Sequence, residues 1–347
     1  MRVLRIATLA CMTLLGGCQL GYYSQAAKGH LALMGQREPL EAVLADPQTP
    51  PQIAASLQLS QQVVRFAGDQ LALPAEDVYH QYVALEQDAV VWNVLAAPAW
   101  SLTPKTWCYP LIGCVSYRGY FQRPAADKAA AALAEQGMDT YVGGAIAYST
   151  LGWFADPLTT PMLQRSLPAL AELLIHELAH RRLYIKNDTR FNESLATLVG
   201  REGAVDFFAA SGEPLPTDFW QRREQVRQAF MAIVTDTREA LKQLYIAEQD
   251  EALLAREKAR IQQQARERFA REQQTLPALA GYRGFFDGPL NNAQLNGVSD
   301  YNDHVPAFAR LLEQCRRDWG CFWQQVENLA ELTPVQRNNA LEGLAWN

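Results

Sequence analysis

A chain of 347 residues, 49% hydrophobic and 20% charged, holds enough apolar material for one large core or two modest ones, so global disorder is excluded. Its net charge of −6 supplies no basic face of the kind nucleic acid requires, and nucleic-acid binding is set aside as a function class.

Residues 1–17, MRVLRIATLACMTLLGG, read as an export signal: Arg2 and Arg5 give a positive start, an apolar stretch follows, and small residues precede Cys18. The stretch is too short to span a bilayer as a mature helix. Leu15, Gly16, Gly17 and Cys18 resemble the lipobox of bacterial lipoproteins, which implies that Cys18 carries the lipid and becomes the mature N-terminus. Gln19 is not the aspartate that accompanies retention at the inner membrane, so the resemblance implies a membrane anchor on the periplasmic face of the outer membrane. The other reading is an ordinary cleaved signal with an incidental cysteine.

Residues 18–89 read as an N-terminal helical region. Leucines and alanines from Tyr22 to Leu44 are interrupted by Pro39, and a second amphipathic run, TPPQIAASLQLSQQVVRFAGDQLALP, closes at Pro74. From Val90 to Trp153 the chain turns β-rich and aromatic in VVWNVLAA, TWCYPLIGCVSYRGYF and DTYVGGAIAYSTLGWF, with one helical interlude at PAADKAAAALAEQG. Helices return after Pro168. The segment from Phe219 to Gln273, rich in Glu, Arg, Gln and Leu with few breakers, is either one very long helix or a helical hairpin. The expected class is α+β with helices dominant, a core at 90–205 and a C-terminal helical region at 206–347.

Cys11 leaves with the signal and Cys18 takes the lipid, so four cysteines remain in two local pairs, Cys108 with Cys114 and Cys315 with Cys321. An even number in tight pairs suits two small disulfide loops in an oxidising compartment. A zinc site of four thiolates would show two-residue gaps, and these are absent.

The stretch LLIHELAHRRLY, residues 173–184, carries the chemistry. On a helix His176 and His180 lie on one face a turn apart and can reach a single ion, with Glu177 beside them. Zinc hydrolysis needs this set: two neutral imidazoles and a third ligand hold Zn2+, a water fills the fourth position, and a glutamate takes that water's proton and hands it to the leaving amine. Polar residues in so apolar a helix would be costly unless something satisfied them. Six residues after His180, where a metzincin places a His or Asp, stands Lys186, which cannot ligate. The gluzincin alternative takes a glutamate from the next helix, and DTRFNESLATLVGREG offers Glu193 and Glu202. Nine residues at about 100° each place these two on opposite faces, so only one can point at the metal. RFNESLAT resembles the opening of the ligand helix in gluzincin aminopeptidases, which selects Glu193.

GCVSYRGYF, AYSTLGWFADPL, HELAHRRLYIKNDTRFNESLAT, LNNAQL and VPAF together resemble a bacterial family described as putative aminopeptidases, many of them lipoproteins, over nearly all of the mature chain. The resemblance implies a zincin-like metallopeptidase core acting on peptide substrates. In zinc peptidases with this motif a strand before the metal helix pairs with the substrate backbone, and YVGGAIAYSTLGWF is the candidate here. The oxyanion of the tetrahedral intermediate needs a donor; Tyr148 and Tyr301 lead, with Tyr184 and His304 behind them. His30 and His80 read as ordinary packed or surface histidines. The expectation is a lipid-anchored periplasmic zinc peptidase with His176, His180 and Glu193 as ligands and Glu177 as general base. The alternative is a non-catalytic zinc lipoprotein that scaffolds envelope partners through the helices from Phe219 to Gln273.

Overall fold

Prolines set the first boundaries. In the computed structural model, which describes residues 21–76, 78–109, 113–147, 156–212, 215–216, 218–299 and 302–345, helix α1 covers 21–35 and the helical pattern stops before Pro39. Pro39 itself falls in a two-residue strand, β1 (Glu38–Pro39), followed by α2 (Leu40–Ala45). Pro51 opens α3 (Pro51–Leu71), where its missing N–H costs no helical bond, and Ala72 ends the helix at φ 54°.

Short strands follow: β2 (Gln81–Val83), β3 (Val91–Pro98), β4 (Trp107–Tyr109), β5 (Gly113–Val115) and β6 (Tyr117–Tyr120). Helix α4 (Arg123–Ala134) is the predicted interlude, before β7 (Met138–Ala145), β8 (Leu158–Thr159) and α5 (Thr160–Leu163). Three sheets result, in the orders β1-β2-β8, β6-β3-β7 and β4-β5. In the second, β3 is central and antiparallel to both neighbours, pairing Asn93 with Gly119 on one side and Gly143 on the other. Among the described residues strand β7 is therefore an edge of this sheet; residues 148–155 of the segment offered as the substrate-pairing strand lie outside the described residues. Cys108–Cys114 closes the β4–β5 hairpin, and Cys315–Cys321 is the second disulfide.

Helix α6 (Leu167–Arg182) and α7 (Thr189–Ser211) come next, then α8 (Phe219–Ala247) and α9 (Glu251–Thr275). The ambiguous segment is thus a hairpin. It turns at residues 248–250, where Asp250 caps α9 by accepting from Leu253 N at 2.8 Å. A 3₁₀ turn (Pro277–Tyr282) leads to α10 (Arg283–Phe286), α11 (Asn292–Ser299), α12 (Val305–Gln314), α13 (Trp319–Ala330) and α14 (Pro334–Ala345). Helix makes up 66% of the structure, with small sheets, in keeping with the α+β expectation.

The largest apolar cluster joins α3, α6, α7, α12 and α13 through Leu57, Leu71, Leu174, Ile175, Phe191, Phe308 and Trp323. A second, separate cluster lies inside the α8–α9 hairpin and the turns after it, around Phe230, Ile233, Phe269 and Phe286. Polar pins join the hairpin to the sheet: buried Lys258 of α9 donates to Asp139 at the start of β7 at 2.5 Å and to the Ala99 carbonyl at 2.9 Å. No helix among the described residues is long and apolar enough to cross a membrane.

Candidate metal centre

Helix α6 buries Leu170, Ala171, Leu174, Ile175, Leu178 and Ala179 against its neighbours, which leaves Glu172, His176 and His180 as a polar stripe at intervals of four. Helix α7 returns antiparallel after the six-residue loop 183–188. Its start is tightly specified. Asp188 caps it by accepting from Phe191 N at 3.2 Å, and Arg337 of α14, 3% exposed, donates to the other oxygen of Asp188 at 2.7 and 3.0 Å. Asn192 then closes the loop from inside, accepting from Ile185 N and donating to Ile185 O, both at 2.8 Å. At Gly200 an added Cβ would stand 2.6 Å from the Glu172 carbonyl oxygen, so the two helices approach more closely there than any side chain permits.

This packing carries Glu193 to the two histidines. Its Oε2 lies 3.4 Å from His176 Nε2 and 3.3 Å from His180 Nε2, and the two nitrogens are 3.2 Å apart. Ligands about 2.0–2.1 Å from a tetrahedral ion stand roughly 3.3–3.4 Å from one another, so all three separations fit a zinc-sized ion. Glu193 Oε2 is buried and makes no aligned hydrogen bond among the described residues, an orphaned acceptor that a cation would satisfy. The outer partner usual for a metal-bound imidazole is missing at His180, whose Nδ1 is also buried without one among the described residues. His176, His180 and Glu193 therefore form a group that could hold a metal ion. Glu202 stands apart, paired with Arg317 at 2.6 Å.

Burial would raise the Glu193 carboxyl, but the two imidazoles outweigh it and hold the group down at about 2. Burial opposes the charge on His180, and Glu193 reverses that and raises it. Glu177 goes the other way: burial lifts its carboxyl above the ordinary range against the pull of both imidazoles. One carboxylate is thus kept ionised beside the imidazoles and the other is held ready to take a proton, a division of labour suited to acid–base chemistry.

Of the tyrosines expected to serve the oxyanion, Tyr148 and Tyr301 lie outside the described residues, as does Cys18. Three other phenols surround the site. Burial chiefly, then Glu193, Tyr184 and Glu177, raises Tyr117 of β6 well above the normal tyrosine value. Tyr184 is raised by burial and by Glu193. Buried Tyr79 is raised by burial and by Glu177, and its backbone is left-handed at φ 58°, strain that a residue of this size seldom carries. Sequence reasoning missed Tyr117 and Tyr79, because only the sheet brings them to the helices. His304 is buried, its N–H donating to Ser194 Oγ at 3.2 Å on the face of α7 beside Glu193. His80 is exposed and bonds the Glu76 carbonyl one turn back.

No curated protein and no solved structure matches the chain. A family model does, over residues 21–341, and its family is described as "Putative aminopeptidase". That match supports a peptidase-like function at a coarse level. Spanning nearly the whole chain, from α1 through α6 and α7 to α14, the match establishes that the protein belongs to this family.

Proposed function

We propose that the protein is a zinc-dependent peptidase of the bacterial cell envelope, anchored through a lipid on Cys18 and gluzincin-like in its ligand set. The observation that carries this reading is the trio of ligand atoms 3.2–3.4 Å apart with Glu177 next to them in the chain. When bound, zinc supplies Lewis acidity, polarising a carbonyl and making a water acidic near neutral pH. His176, His180 and Glu193 would hold it.

The chain's own residues do the rest. Glu177, its proton affinity raised by burial, accepts a proton from the attacking water and returns it to the leaving amine. Strand β7 presents an outer edge. The Thr140 carbonyl already points outward, accepting from Asn291 Nδ2 at 2.9 Å, and the alternation of an antiparallel strand turns Val142 and Gly144 the same way, with no strand beside them among the described residues, an edge suited to an extended peptide. Tyr117, whose hydroxyl feels both Glu193 and Glu177, is the described phenol we assign to donate to a developing oxyanion.

The test uses zinc-loaded wild type and Glu177→Gln on a mixed peptide library read by mass spectrometry, which shows N-terminal trimming and internal cleavage alike. Glu177→Gln is expected to keep its zinc and its melting temperature and to lose hydrolysis by several orders of magnitude, roughly the scale of general base catalysis combined with water activation. A wild type that cuts nothing, with Glu177→Gln complementing a deletion strain fully, would replace this reading with the zinc scaffold.

A further inference from the structure

One turn from His176, on the same stripe of α6, Glu172 meets a cluster of arginines. Arg223 of α8 donates to it at 2.6 Å, and Arg201 of α7 stands 3.7 Å from its other oxygen. Arg165 feels the charges of both Glu172 and Arg223, and Arg227, paired with Glu224, bears on Arg201. Four guanidiniums therefore share two carboxylates. Arg201 Nη2 donates to Asn302 Oδ1 at 3.0 Å, but Nη1 of Arg201 and Nη1 of Arg223 are buried with no partner among the described residues. Burial, and then Arg227, push the Arg201 guanidinium down to about 10, a sign that positive charge is crowded here and under-compensated. Buried donors left open cost free energy that an anion would recover, and the planar fork of arginine matches a carboxylate.

The cluster lies at a definite distance from the ligand trio. Glu172 is one helical turn from His176, about 6 Å, and Arg201 is eight residues from Glu193, about 12 Å along α7. An extended peptide advances about 3.4 Å per residue. Two or three extended residues past a bond held at the trio therefore span the separation from the trio to the arginines.

We propose that Arg201 and Arg223 form a subsite for the C-terminal carboxylate of a short peptide, so that the enzyme measures its substrate and prefers free peptides of about three or four residues. This rests on the peptidase reading above. In it, Glu172 orients the two guanidiniums and leaves one N–H of each for the incoming carboxylate.

The experiment compares tri- and tetra-alanine as free acids, as C-terminal amides, and as amides ending in aspartate. Hydrolysis by wild type, Arg201→Gln and Arg223→Gln is followed, together with calorimetric binding of the same peptides to zinc-loaded Glu177→Gln. Wild type is expected to favour free acids over amides by at least about tenfold in kcat/KM, and binding to Glu177→Gln to show the same ratio, the scale of hydrogen bonds to a charged group. In either arginine variant the ratio should fall toward one, with Arg223→Lys intermediate because it keeps the charge and loses the fork; a general loss of packing would lower acids and amides together. Equal handling of acids and amides by wild type overturns the subsite and leaves the peptidase standing. Aspartate-ended amides matching the free acids would assign the subsite to a side-chain carboxylate and overturn the C-terminal assignment. If nothing is hydrolysed, the peptidase reading fails, and the binding ratio alone decides the subsite. Should Arg201→Gln fail to fold, the more exposed Arg223 and the wild-type comparison decide between the outcomes.

Discussion

His176, Glu177 and His180 were legible because a helix converts a spacing of four into a shared face, with no other part of the chain needed. Spacing alone left Glu193 and Glu202 as alternatives, since only one of two glutamates nine apart can face the same way; the resemblance of RFNESLAT favoured Glu193, and the structure turns Glu202 to Arg317. Glu193→Ala is expected to lose most of its zinc on dialysis, because two imidazoles alone hold the ion poorly, whereas Glu202→Ala should stay near one zinc per chain. Metal analysis after dialysis checks both, and the reverse pattern would place the ligand on the wrong side of α7. Asn192, by contrast, read only as a residue near a helix start. Its two bonds to Ile185 answer a backbone turn whose need for satisfaction no side-chain pattern reveals.

At the scale of elements, the alternation of short β segments with one alanine-rich helix was readable from 90 to 145, and the local cysteine pairs announced their own bridges. The choice between one long helix and a hairpin was not, since the sequence around residues 248–250 contains neither Pro nor Gly. What the pattern could not show at all is how near α6 and α7 would come. Gly200 allows that approach, and Gly200→Ala must force its Cβ against the Glu172 carbonyl oxygen and the His176 side chain, at 2.6 and 3.1 Å. The variant is expected to lose about 1–3 kcal/mol of stability and to bind zinc more weakly, as spreading the helices pulls Glu193 from the histidines. Gly68→Ala in α3 is the control: the nearest atom to the new Cβ is Ala75 Cβ at 3.4 Å, so removing a helical glycine should stabilise by about 0.5–1 kcal/mol. Denaturant unfolding and a zinc titration of both proteins read out the contrast.

Across the whole molecule, the hydrophobic clusters divide the chain in a way that composition could not foretell, because α3 packs with helices more than a hundred residues later while α8 and α9 keep a core of their own. The arginines around Glu172 were equally invisible, being drawn from residues 165, 201, 223 and 227. The same holds for Arg337, which reaches back across 149 positions to Asp188 and also donates to the Leu332 carbonyl at 2.9 Å. Arg337→Ala takes from half-buried Asp188 its charged partner while leaving it the bond from Phe191 N, and a loss of about 1.5–3 kcal/mol is expected. Because Asp188 caps the helix that carries Glu193, zinc affinity should fall as well, although Arg337 touches no ligand. Melting curves with and without zinc test this; a variant that melts earlier yet binds zinc as wild type does would show that the brace holds only the C-terminal helix.

That brace also orders events in time. The three side chains that could hold an ion come from residues 176–193, one helical hairpin, whereas the Asp188–Arg337 contact closes a loop of 149 residues. The longer loop costs roughly 2 kcal/mol more in closure entropy, so during folding the three ligands can meet well before the C-terminal helix returns. On the proposed zinc reading, ion capture would precede the final clasp, and a chain refolding in zinc would start from a cross-linked α6–α7 nucleus, while one refolding without it would have to hold Glu193 against the histidines unaided until α14 arrives.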